Sequence, residues 1–275
     1  MSSTGLIAHR SGGPGRRQLT WLDRTGRASL ALSVALRNTV RTMWTSTPDG
    51  TRVVFDQAVG GNRDVWLSDV ARGVPTRFTF AAAIDSAPIW SADGNSIIFR
   101  SGRNGSCDLF QKSSTGDDAE LPLLQSTENK VPNDCSIDGQ LLLYAVQAET
   151  SDLWVMPLFG DRKPFPYATT AFDETQGQFS PDGRWVAYNS NEVGPLEVYV
   201  RPFPGPGGCQ RISTAGGASP RWRRDGRELF YLSPDAKVMA VPIGSDGSPG
   251  QAVALFRMRV GTGPWSSTVG NLVPQ

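Results

Sequence analysis

The stretch Gln178-Phe179-Ser180-Pro181-Asp182-Gly183-Arg184-Trp185-Val186-Ala187-Tyr188 decides the fold. It reads as a short strand, a tight turn and a second strand. Pro181 presets φ at the second turn position, and Gly183 supplies the position that needs φ > 0. The flanks are aromatic and β-branched, the composition of half-buried strands. The frame recurs as Trp44-Thr45-Ser46-Thr47-Pro48-Asp49-Gly50, Trp90-Ser91-Ala92-Asp93-Gly94, Ser136-Ile137-Asp138-Gly139 and Trp222-Arg223-Arg224-Asp225-Gly226. Its turn aspartates therefore return every 43–45 residues. Strand-only repeats of that length are four-stranded propeller blades. A second motif keeps step with the first: Asp64-Val65-Trp66-Leu67, Asp108-Leu109-Phe110-Gln111, Asp152-Leu153-Trp154-Val155 and Glu197-Val198-Tyr199-Val200 each follow their turn aspartate by 14 or 15 residues.

The expected fold is all-β, a six-bladed β-propeller of four-stranded antiparallel blades forming one domain over 1–260, with the first blade incomplete. The blades fall at about 5–36, 42–79, 87–124, 131–168, 177–212 and 220–256. No Asp-Gly hairpin precedes the first blade, so it is expected to lack its innermost strand and to offer an open edge for self-association. The polar segment 261–275 reads as a mobile tail.

Charge excludes some partners. With 27 Lys and Arg against 26 Asp and Glu the net charge is +1, which gives no general attraction to nucleic acid or to an anionic membrane. No run approaches the ~18 apolar residues of a membrane helix, so no membrane insertion is expected. The start of the chain has no apolar signal-peptide core, which places the chain as written in the cytoplasm.

Enzyme chemistry finds little support in the residues. His9 is the only histidine, so a Ser-His-Asp triad or a histidine metal site would rest on it alone. There is no Gly-x-Ser-x-Gly elbow, Walker loop or kinase catalytic string. Cys107, Cys135 and Cys209 lack zinc spacing and read as structural thiols. No catalytic residue, metal or cofactor is expected. The acids Asp64, Asp108, Asp152 and Glu197 open the third strand of successive blades, which spreads them around a ring, where bonds to loop backbone are their expected role. Arg221, Arg223, Arg224 and Arg227 surround a hairpin that faces solvent, and Arg221 stands apart at the start of an innermost strand.

Several longer strings carry a resemblance. The Ser-Pro-Asp-Gly hairpin with its later Asp-aliphatic-Trp strand resembles the TolB-type, WD-like β-propeller. Arg17-Gln18-Leu19-Thr20-Trp21-Leu22-Asp23-Arg24, Arg77-Phe78-Thr79-Phe80, Tyr199-Val200-Arg201-Pro202-Phe203-Pro204-Gly205 and Pro220-Arg221-Trp222-Arg223-Arg224-Asp225-Gly226 are similar, more narrowly, to the C-terminal propeller of bacterial serine/threonine protein kinases. The resemblance implies a non-catalytic interaction or ligand-sensing module. It also implies a periplasmic or extracytoplasmic position if the chain is a fragment of a membrane-anchored kinase. Relatives commonly carry one further Asp-Gly hairpin after the stretch matching Leu255 to Val260, which this sequence does not have. The alternatives are the propeller part of a peptidase or lyase-type enzyme whose catalytic residues lie elsewhere, and a non-functional gene fragment.

In a propeller the innermost strands line a central channel, and the loops entering them crown one mouth. Those loops differ from blade to blade here, while the Asp-Gly hairpins on the opposite face do not. The expected binding residues are Asp85, Lys130, Asn133, Glu174, Gln176 and Arg221, with a protein or a small ligand as the partner.

Overall fold

The computed structural model describes residues 6–12, 16–37, 44–47, 49–205 and 207–258, all in strands, turns and loops. The expected tail over 261–275 lies outside them. Each Asp-Gly hairpin is built from local bonds. The hydroxyls of Thr47, Ser91, Ser136 and Ser180 donate to the carboxylates of Asp49, Asp93, Asp138 and Asp182 over 2.5–2.6 Å. The same carboxylates accept backbone N–H groups two residues on, from Thr51, Asn95, Gln140 and Arg184 at 3.0–3.1 Å. The glycines that follow hold φ near 70°, a conformation that costs a side-chain-bearing residue ~1 kcal/mol or more.

These hairpins join the first two strands of each four-stranded blade. The blades are β4 (Trp44–Ser46), β5 (Arg52–Val59), β6 (Asn62–Asp69) and β7 (Pro75–Arg77), then β8 (Asp85–Trp90), β9 (Ser96–Asn104), β10 (Ser106–Ser113) and β11 (Leu121–Leu124). Next come β12 (Asn129–Cys135), β13 (Leu141–Gln147), β14 (Ser151–Pro157) and β15 (Phe165–Ala168). The last two blades are β16 (Glu174–Phe179), β17 (Trp185–Ser190), β18 (Glu197–Pro202) and β19 (Gln210–Arg211), and β20 (Ala218–Trp222), β21 (Glu228–Leu232), β22 (Lys237–Pro242) and β23 (Val253–Arg257). Ahead of them β1 (Leu6–Gly12), β2 (Arg16–Leu22) and β3 (Ala28–Arg37) form a three-stranded sheet.

The expectation of six four-stranded blades is therefore corrected. Strand pairing gives five, and the N-terminal sheet has three strands. No Asp-Gly hairpin leads into β1, so nothing local adds a strand on its inner side; among the described residues β1 pairs with β2 alone.

The core lies in the seams between blades. Val54 and Val65 of one blade meet Trp90, Ile97 and Phe99 of the next, and Leu143, Leu153 and Val155 meet Phe179, Val186 and Tyr188 two seams later. The first strands β4, β8, β12, β16 and β20 lie side by side around the central channel. The ring turns back on itself through the Asp23–Arg27 turn. Leu22 packs among Phe230, Leu232, Val238 and Phe256, and Arg24 donates to both Glu228 oxygens at 2.6 and 2.9 Å. The Arg24 guanidinium also stands over the Phe230 ring, 5.7 Å from its centroid.

Candidate functional site: the channel and its mouth

The innermost strands are not regular. Register shifts fall between Ser86 and Ile89, Pro132 and Asp134, Thr175 and Gln178, and Ala218 and Arg221, the same point in four blades. At this point Ala87, Gln176 and Ser219 take φ of 51, 55 and 57°. Left-handed conformations at non-glycine residues are uncommon and mark strained, over-determined positions. A bulge leaves backbone groups without ladder partners. Here the blade before supplies them. Asp56 Oδ2 accepts from Ala87 N at 3.3 Å, Asn133 Oδ1 from Gly177 N at 2.8 Å and Gln176 Oε1 from Ser219 N at 2.9 Å. Two further acceptors reach across one step lower: Asp134 Oδ2 to Phe179 N at 2.9 Å and Gln178 Oε1 to Trp222 N at 2.8 Å.

Thr45, Ile89, Asp134, Gln178 and Arg221 share one position, four residues before the turn aspartate, and all five are partly exposed. Trp90, Phe179 and Trp222 on the next position are buried between blades, so alternation turns the former set to the channel. Asp134 and Arg221 are electrostatic neighbours there. Both touch the channel yet are surrounded by protein. Desolvation pushes the Asp134 carboxyl up to about 7 against the pull of the Phe179 N–H and Arg221. Burial likewise draws Arg221 down to about 10, opposed by Asp134. Arg221 Nη1 donates to Pro220 O at 2.6 Å.

The six residues expected to bind occupy this region in different ways. Asp85, Lys130 and Glu174 open successive innermost strands at the mouth, one per blade, and all three are buried. Asp85 Oδ1 lies 3.4 Å from Arg103, and burial raises its carboxyl despite that partner. Lys130 Nζ donates to Asp108 Oδ1 at 3.1 Å and to Glu128 O at 2.8 Å. Glu174 accepts from Thr170 N and Oγ1 at 3.2 and 2.5 Å, and burial raises it as well. Asn133 and Gln176 staple neighbouring blades. Only Arg221 of the six belongs to the channel-lining set. The structure thus spreads the six along successive seams and does not converge them on one point. Sequence reasoning missed Asp134 and Gln178, although their shared position four residues before the turn aspartate is visible in the repeat.

Two of the four repeated third-strand acids bond loop backbone: Asp108 Oδ1 accepts from Ser126 N and Glu197 Oε1 from Gly216 N, both at 3.0 Å, while Asp152 Oδ1 has no partner. Asp64 meets the side chains of Arg77 at 2.9 Å and Asn62 at 3.2 Å instead. Among the described residues no group of three His, Cys, Asp or Glu is placed to hold a metal ion, and no helix is long and apolar enough to cross a membrane.

The strand order, the seams and the channel define a β-propeller. Residues 35–158 match the family profile described as the TolB beta propeller domain, PD40. No curated protein matches the chain in sequence. Among solved structures, TolB from Acinetobacter baumannii superposes with a TM-score of 0.74 at 17% identity over 98% of this chain. The chain spans 65% of that protein's length. A nidogen/laminin complex gives a TM-score of 0.73 at 10% identity, covering 98% of this chain and 97% of that one. A prolyl endopeptidase studied for inter-domain dynamics gives 0.58 at 15% identity, covering 91% of this chain and 43% of that one. At these identities the likeness concerns fold: the chain is similar to TolB-type propellers in strand order and blade packing.

Proposed function

We propose that this chain is a non-catalytic binding module whose channel mouth receives a protein or a small ligand. The single observation that carries the reading is the contrast between its two faces. The hairpin face repeats one bonding scheme in four of the five four-stranded blades. The mouth has a strained bulge beneath it and loops of unlike composition. Concave mouths let several blades contribute polar groups to one partner. The prolyl endopeptidase and the nidogen/laminin complex carry the same fold in unlike settings, so the fold alone selects no activity. A relationship to kinase-linked propellers is part of this proposal and rests on strings such as Arg17–Arg24 and Tyr199–Gly205.

The test compares faces with matched exposed apolar residues. Phe80 and Phe172, 66 and 42% exposed, lie in loops entering the mouth, and Ile137, 66% exposed, lies in a hairpin opposite. Affinity capture with wild type, with Phe80→Ser/Phe172→Ser and with Ile137→Ser should lose a specific partner in the mouth variant alone. Loss in Ile137→Ser alone would place binding on the other face.

A further inference from the structure

At the mouth, the third strand of each blade meets the start of the next innermost strand, and this seam repeats with different charges. Between β10 and β12 it holds the ion pair Asp108–Lys130 at 3.1 Å. Between β6 and β8 it holds two acids, Asp64 and Asp85, each with its own arginine: Arg77 at 2.9 Å and Arg103 at 3.4 Å. Between β14 and β16 the equivalent residues are Asp152 and Glu174, again two acids. Glu174 stands where the preceding seam has Lys130, both eight residues before their turn aspartates. Asp173 and Glu192 add two more carboxylates at the same mouth. None of the four forms an ion pair among the described residues.

Some of this charge is satisfied locally. Glu174 is held by Thr170, and Asp173 accepts from Ser151 N at 3.0 Å and Asn191 Nδ2 at 3.1 Å. Asp152 Oδ1 is not; it is buried without a hydrogen-bond partner. Burial, with Asp173 nearby, raises Asp152; burial, with Asp152 and Glu192 nearby, raises Glu174. A second group points the same way. Tyr199, 2% exposed, ends in a hydroxyl turned to the Glu192 carboxylate, and no donor reaches its oxygen. A buried carboxylate oxygen left open is costly, and both it and the phenol oxygen can accept from a donor that arrives from outside.

We propose that the notch formed by Asp152, Asp173, Glu174, Glu192 and Tyr199 receives a lysine or arginine side chain of a protein partner. The incoming cation takes the place that Lys130 holds in the preceding seam. It neutralises the acids and gives Asp152 Oδ1 a donor. This rests on the mouth being the binding face and names the chemistry that this face selects.

The experiment titrates hexalysine into the whole chain at low ionic strength, where exposed charges are least screened. Three proteins are compared: wild type, Asp152→Asn/Glu192→Gln, and Asp117→Asn/Asp118→Asn. The last pair removes the same charge from an exposed loop on the hairpin side. Hexalysine should bind wild type and the loop control alike, and at least tenfold more weakly to the notch variant. Absence of binding to wild type, or equal affinity for the two variants, overturns the proposal. Neutralising repelling acids should leave the melting temperature unchanged or higher, so weak binding would not reflect unfolding. Partner capture that fails in Phe80→Ser/Phe172→Ser but hexalysine binding that ignores the notch would remove this inference and leave the mouth reading standing.

Discussion

Replacing Arg24 with Met tests how the ring is closed. The N-terminal sheet joins the last blade through one turn, and Arg24 is the charged part of that contact. Its two bonds to Glu228 measure 2.6 and 2.9 Å, with side chains 39 and 14% exposed. Charge-assisted bonds reach ~1.5–3 kcal/mol when buried, but exposed pairs give only ~0.2–1, so a pair this open is worth about 1–1.5 kcal/mol. The Phe230 stack adds ~0.5–1. Removal does not strand a buried charge, because Arg223 remains 3.2 Å from Glu228. Arg24→Met should therefore lose about 1.5–2.5 kcal/mol, a fall of about 3–5 °C in Tm for a domain of this size. Acid should erase the ion-pair part of the difference and leave the Phe230 stack, because Arg24 stays charged. Hydrogen bonding from Arg24 holds the Glu228 carboxyl below its ordinary value of 4.5. A depressed folded value means stability that is complete above the unfolded value and disappears as pH falls through the folded one. Thermal unfolding at about pH 7 should show the full gap, and the gap should shrink steadily below about pH 4. A loss under ~0.5 kcal/mol at neutral pH, or a gap that does not narrow in acid, would refute the clasp.

Other substitutions follow from the channel. Gln178→Leu removes the acceptor of the Trp222 N–H and should cost ~1–3 kcal/mol by denaturant midpoint, while Gln178→Glu, which keeps the acceptor, should cost less. Asp134→Asn should stabilise the protein in alkali and leave it unchanged in acid. The Asp134 value is raised to about 7 on folding, so the wild type loses stability as pH rises through that range, and the amide retains an oxygen for Phe179 N. Equal melting shifts at about pH 4 and about pH 8 would contradict this. Ala87→Gly, at φ 51°, should be neutral or stabilising by up to ~1 kcal/mol, whereas glycine in an ordinary strand position destabilises.

The parts legible in the sequence are those made by residues close together in it. The hairpins needed only Thr47 with Asp49, Ser180 with Asp182, and a glycine after each, and the period then gave the propeller. The number of four-stranded blades was not legible in the same way. The N-terminal strands carry no such hairpin, and their counterpart in space, Glu228, is 204 residues from Arg24. The bulge was hidden for another reason. Left-handed positions announce themselves when glycine fills them, and here Ala87, Gln176 and Ser219 do so. Asp85, Lys130 and Glu174 were found as strand starts, but their burial depends on the loops folded over them, which sequence alone does not place.

The two ends of the blades embody different demands. At the hairpins one solution, a hydroxyl on an aspartate before a glycine, serves four blades, and in the fifth Arg223 replaces the hydroxyl at 3.4 Å from Asp225. Stability asks for no more than that. At the mouth the equivalent seams are solved by two acid–arginine pairs, by Asp108 with Lys130, by Glu197 with the Gly216 N–H, and between β14 and β16 by no cation among the described residues. A lysine in place of Glu174 would copy the working seam beside it, removing one raised carboxyl and relieving the other. A chain shaped for stability alone has a ready remedy there and does not use it. The uncompensated seam makes sense where a cation is supplied from outside, and for that reason the mouth between those two blades is the place to look for the partner first.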